Sequence, residues 1–106
     1  MYDSEKTRVL NDAFRKTLSG GRVLVTAGIS AREDVATILE QVREYNDFSE
    51  DDDPYGEHDF GAIRHGDQQI FWKIDYYNCN MQEGSPDPGD STVTTRVITI
   101  MFASEY

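Results

Sequence analysis

A chain of 106 residues, 38% apolar and 11% aromatic, holds enough material for one small core and leaves no room for a second. Its formal charge of −10 is lopsided: residues 1–46 balance seven acids against seven bases, while residues 47–106 set thirteen acids against Arg64, Lys73 and Arg96. That surface disfavours direct binding to nucleic acid or an anionic membrane, because phosphate contacts need a basic footprint. The single cysteine, Cys79, excludes an intrachain disulfide framework. The start, MYDSEKTRVL, carries no signal-like apolar run, and no apolar segment approaches the roughly 20 residues that span a bilayer. These features describe a cytoplasmic protein with no membrane segment.

Asp3 or Ser4 is placed to cap a first helix whose apolar stripe is Leu10, Ala13, Phe14 and Leu18, ending at Gly20-Gly21. RVLVTAGI follows, apolar on both faces, and reads as a buried strand. Ser30-Ala31-Arg32-Glu33 fits a capping box opening a second helix, with Val35, Ile38, Leu39 and Val42 inward and an end near Tyr45-Asn46. Residues 47–59 form an acidic loop containing Asp53-Pro54-Tyr55-Gly56, the signature of a type I turn. Two strands, 58–65 and 68–77, flank the hairpin turn Gly66-Asp67. That turn sets His65 against Gln68, Ile63 against Ile70 and Gly61 against Trp72. Ile63, Ile70, Trp72 and Ile74 then share the core face, and His58 comes opposite Asp75 on the other. Residues 78–91, with Gly84, Pro86, Pro88 and Gly89, read as an irregular loop, and 92–104 as a central strand. The predicted fold is α+β over residues 1–106: two helices on one face of a four-stranded antiparallel or mixed sheet, with the hairpin and meander in the C-terminal half.

Two functional readings follow. The first takes Asp47, Glu50, Asp51, Asp52, Asp53, Tyr55, Glu57 and Asp59 as a surface for a basic partner, in the manner of a nucleic-acid mimic. Exposed carboxylates steer such encounters, and tyrosine suits interfaces. The second is an enzyme or ligand site in which Asp75 orients His58 as general base and Lys73 and Arg96 hold an anionic group. An EF-hand starting at Asp51 fails because Pro54 and Ala62 fall at its fourth and twelfth positions. Glu57, His58 and Asp59 lack the spacing of a zinc site, and neither a metal nor a cofactor is expected. No nucleophile or phosphate-loop motif occurs, and Cys79 has no basic neighbour in sequence to activate it.

The segments LNDAFRK, GGRVLVTAGI, DPYGEHDFGAI, IFWKIDYYN, GSPDPGDS and TTRVITIMFASEY span nearly the whole chain. Together they resemble a family of small bacterial proteins classed as a domain of unknown function and frequent on plasmids and other mobile DNA. In that pattern the position of Asn78 is often Asp and that of Gly89 often Ala. The resemblance implies a context and carries over no catalytic residue. In that context the acidic surface implies an inhibitor of a DNA- or RNA-binding defence protein, of anti-restriction or anti-CRISPR type.

Overall fold

The structure, a computed structural model, describes residues 4–106. In chain order it comprises α1 (Ser4–Thr17), β1 (Arg22–Val25), α2 (Ala27–Ser30), α3 (Val35–Arg43), β2 (Phe60–His65), β3 (Gln68–Tyr77), β4 (Thr95–Phe102) and a 3₁₀ turn at Ala103–Glu105. The sheet order is β1-β4-β3-β2. β2, β3 and β4 form an antiparallel meander, and β1 joins β4 in parallel. The architecture is therefore α+β with a mixed four-stranded sheet.

The hairpin forms in the expected register: Ile63 pairs with Ile70, Gly61 with Trp72 and His65 with Gln68. Of the two turn residues, Gly66 alone takes a positive φ, 64°, as a type II′ turn requires of its first central residue. Ile63, Ile70, Trp72 and Ile74 are buried, and Phe14, Ile38 and Val42 close over them from the helices. Each such side chain contributes roughly 1.5–3 kcal/mol by leaving water. Gly61 leaves room for the indole: a Cβ there would collide with Trp72 Nε1 and lie 2.8 Å from Tyr45 Cε1. β4 is central, as read, with Val97, Ile98, Ile100 and Met101 buried on its two faces. It is shorter than 92–104, because Ser85, Asp87 and Asp90 hold residues 92–94 in loop hydrogen bonds.

Three expectations need correction. RVLVTAGI is not a buried strand. Only Arg22–Val25 is extended; it lies at the sheet edge, with Val23 and Leu24 exposed. The chain then turns, because Thr26 N–H bonds to Ile100 O (3.1 Å) and Gly28 fits where a Cβ would stand 3.0 Å from the Phe102 ring. Ser30 starts no helix and caps none: it ends the short α2, with its hydroxyl donating to Ala27 O (3.2 Å). Asp34 precedes α3 instead, gripped by Arg32 (2.8 Å) and by His65 (2.7 Å). Ser4 is itself helical in α1 rather than its cap, and Asp3 lies outside the described residues.

The buried stripe of α1 is also rotated. Thr7, Asn11, Phe14 and Arg15 face inward, Leu10 and Leu18 are half-buried, and Ala13 is exposed. The polar side chains are buried with partners: Asn11 meets Glu57 O, Tyr76 and Arg96, and Arg15 meets Asp12 and Tyr45 O.

Candidate functional site

The acidic loop rests on an aromatic and cationic platform. The Arg15 guanidinium, 1% exposed, lies 5.2 Å from the Phe48 ring centre and 5.3 Å from that of Trp72. It donates to Asp12 Oδ1 (3.0 Å) and to Tyr45 O (3.1 Å). The His58 ring stacks on Phe48 with centroids 3.7 Å apart, and its Nδ1 meets Asp12 Oδ1 at 2.9 Å. Asp53 Oδ1 accepts from the backbone N–H of Glu57 and of His58 (both 3.1 Å), while Gly56 N–H closes the predicted turn on Asp53 O. Tyr45 hydroxyl donates to Asp47 O (3.0 Å). The loop is thus tied at both ends to α1 and to the core aromatics.

The predicted contact residues separate into two groups. Asp47, Glu50, Asp51, Asp52 and Tyr55 are exposed, Tyr55 at 75%. Asp53, Glu57 and Asp59 turn inward and hold the loop. Below them runs a polar chain that sequence reading missed. Asn11 Nδ2 donates to Glu57 O (2.9 Å) and to the Tyr76 hydroxyl (2.8 Å), which donates to Asp59 Oδ2 (3.1 Å). Arg96 Nε donates to Asn11 Oδ1 (2.7 Å). The available signal was the recurrence of Thr7, Asn11 and Arg15 at four-residue spacing, a helical stripe with polar side chains.

The alternative quartet does not assemble. Strand pairing starts at Phe60 opposite Lys73, and His58, at φ 56°, has left the strand's alternation. Its carboxylate neighbours are Asp12 and Asp53, not Asp75. Asp75 instead pairs with Lys73 (3.1 Å) on the face away from the helices, and that contact raises the lysine pKa. Arg96 sits on the helix side, opposite Tyr76. Cys79 is exposed, and its thiol donates to Thr92 O (3.5 Å). Among the described residues no group of three or more His, Cys, Asp or Glu side chains is placed to hold a metal ion, and no helix is long and apolar enough to cross a membrane.

His58→Ala should lower stability by about 1–2 kcal/mol by removing a charge-assisted hydrogen bond and the Phe48 stack. Amide exchange should quicken across residues 47–57; unchanged protection there would show that the Asp12–His58 contact does not hold the loop.

Burial pushes the carboxyl pKa of Glu57 and of Asp59 upward, with Asp59 partly compensated by the Tyr76 hydroxyl. The folded state therefore holds these protons more tightly than the unfolded chain, which adds stability at low pH that is lost as pH rises through the folded values. Asp34 has the opposite sign. Hydrogen bonds from Arg32 and then His65 hold its carboxyl well below the usual range, so its contribution is lost only in strong acid. Between about pH 7 and pH 4, wild-type stability should rise relative to a Glu57→Gln/Asp59→Asn variant. Parallel pH profiles from urea titrations would refute this.

Neither the comparison with curated proteins nor that with solved structures finds a match. A family model, "Protein of unknown function (DUF3768)", matches residues 25–105, which take in the acidic loop and every strand but the start of β1. The chain belongs to that family.

Proposed function

We propose that this is a non-enzymatic, acidic interaction protein of the cytoplasm. Its 47–55 loop binds a basic surface of a nucleic-acid-binding protein by standing in for phosphates, as a mimic and inhibitor. One observation carries the reading. Asp47, Glu50, Asp51 and Asp52 are exposed, and among the described residues none joins an ion pair, although the loop's backbone is fixed from beneath. Unpaired charge on a pre-organised loop repels itself in the free protein and is relieved by a cationic partner. The resemblance to proteins of mobile DNA fits an inhibitor of a host defence protein.

The test replaces Asp47, Asp51 and Asp52 by Asn and leaves Asp53 in place, because Asp53 holds the turn. Against a partner captured from the host, association should slow by about tenfold at low salt and lose much of its salt dependence, since exposed charges act mainly through steering. The circular dichroism spectrum should not change, and duplex DNA should displace the wild-type protein from its partner. Equal binding of variant and wild type at both salts would reduce the loop to a solvated surface. Failure of DNA to compete would remove the mimicry.

A further inference from the structure

We propose that the cavity between the C-terminal half of α1 and the 88–94 loop binds a small organic anion, a carboxylate or a phosphate monoester, with Arg96 as its anchor. The site uses none of the acidic-loop residues and stands apart from the partner surface argued above. The cavity measures about 460 Å³ and is lined by Leu10, Ala13, Phe14, Ser19, Ser91 and Arg96, among others. That size suits a single ring or a short chain.

Arg96 is the reason to expect an anion. It is 5% exposed, and a guanidinium taken out of water needs opposing charge or full hydrogen bonding. Its partners among the described residues are all neutral: Asn11 Oδ1 from Nε, Pro88 O from Nη2, and the Tyr76 ring with its centre 5.4 Å from Cζ. Among the described residues no carboxylate lies within ion-pair distance of it, in a chain with twenty acids. Among the described residues Nη1 makes no hydrogen bond and is not one of the fully enclosed unpaired atoms, and Arg96 is part of the cavity lining.

The rest of the lining agrees with this. The Ser19 and Ser91 side-chain hydroxyls on the wall make no hydrogen bond among the described residues, and each offers a donor. Two carbonyls near the end of α1 already have donors: Ala13 O accepts from Thr17 Oγ1 (2.8 Å) and Phe14 O from Leu18 N–H (2.6 Å). The loop's acids face their own donors, Asp87 toward Gly89 N–H and Asp90 toward Thr92 N–H and hydroxyl. Leu10, Ala13 and Phe14 form an apolar wall that favours an anion carrying a hydrocarbon body over an inorganic ion.

The experiment follows the Arg96 Nε–H resonance of the full chain during titration with benzoate, phenyl phosphate, inorganic phosphate and benzyl alcohol. Benzoate or phenyl phosphate should shift that resonance in a saturable way. Inorganic phosphate should bind more weakly, and benzyl alcohol should leave the resonance in place. The stronger of the two organic anions identifies the headgroup. Ala13→Trp fills the cavity from an exposed helix position while leaving Arg96 unsubstituted, and should cut affinity about tenfold or more, the scale of losing one charge-assisted hydrogen bond to the anion. Arg96→Lys should weaken binding as well. If that variant does not fold, Ala13→Trp alone decides. Absence of a shift with either organic anion overturns the proposal, as does equal response to benzyl alcohol or to inorganic phosphate, or unchanged affinity in Ala13→Trp.

Discussion

Replacing Trp72 by Ala should lower folding stability by about 3–5 kcal/mol, the range for deleting a large buried aromatic. The indole is fully buried on the sheet's covered face, where the surroundings of a deleted side chain relax only in part. Gly61 beneath it has no side chain to move in. The Tyr45 ring meets it edge-on with centroids 5.4 Å apart, and the Arg15 guanidinium lies 5.3 Å from its ring centre. The cavity left behind would therefore uncover a buried cation as well as apolar surface. Trp72→Phe should cost much less, because the indole N–H has no hydrogen-bond partner to lose. Urea midpoints for the two variants test this, and equal losses would mean that the N–H matters more than the volume.

Asn11→Ala should cost about 3 kcal/mol, more than a typical buried amide, because one side chain serves three partners and one of them is charged. Its Oδ1 is the acceptor for Arg96 Nε, and its Nδ2 bridges the Glu57 carbonyl and the Tyr76 hydroxyl. Without it, a buried guanidinium keeps only the Pro88 carbonyl and an aromatic face. Asn11→Asp makes the sharper comparison. It supplies the countercharge that Arg96 lacks but loses the donor to Glu57 O and Tyr76, so it should fall between wild type and Ala in thermal melts. A loss below about 1 kcal/mol for Asn11→Ala would show that water replaces the amide.

The hairpin was legible because its signals are local. A glycine-first turn fixes the register, and once the register is set, period-two alternation assigns every side chain from Phe60 to Tyr77 to a face. The second helix was legible in its body, where Ile38 and Val42 face the core, but not at its start. Ser30 and Glu33 have the right identities for a capping box. The chain at Ser30 is nevertheless still closing α2, held by the Thr26–Ile100 bond and by the fit of Gly28 against Phe102, and sequence spacing shows neither contact. The same holds for His58. Extending the strand by alternation placed it opposite Asp75, but a positive φ turns it toward Asp12, 46 positions away in sequence. Helical spacing could show Asn11 as part of an inward stripe, but the contacts of Asn11 with Glu57, Tyr76 and Arg96 and of Asp12 with His58 were unreadable for that reason: those partners belong to the other half of the chain. The acidic loop was legible as charge, but the division into outward and inward carboxylates depends on the turn that buries Asp53.

The parallel pairing of β1 with β4 sets the order in which the molecule assembles. Val25 aligns with Ile100, so the edge strand waits for a partner 75 positions further along, whereas β2 and β3 meet across two residues. During synthesis at roughly 5–20 residues per second, β1 emerges several seconds before the strand it pairs with. Over that interval Val23 and Leu24 are without the strand that they pair with in the folded protein. The four-residue length of β1 and the flanking Arg22 limit the risk that another nascent chain adds to it. The slow step of folding should accordingly be capture of the amino-terminal segment by a preformed meander, a non-local event of the kind that makes such topologies slow.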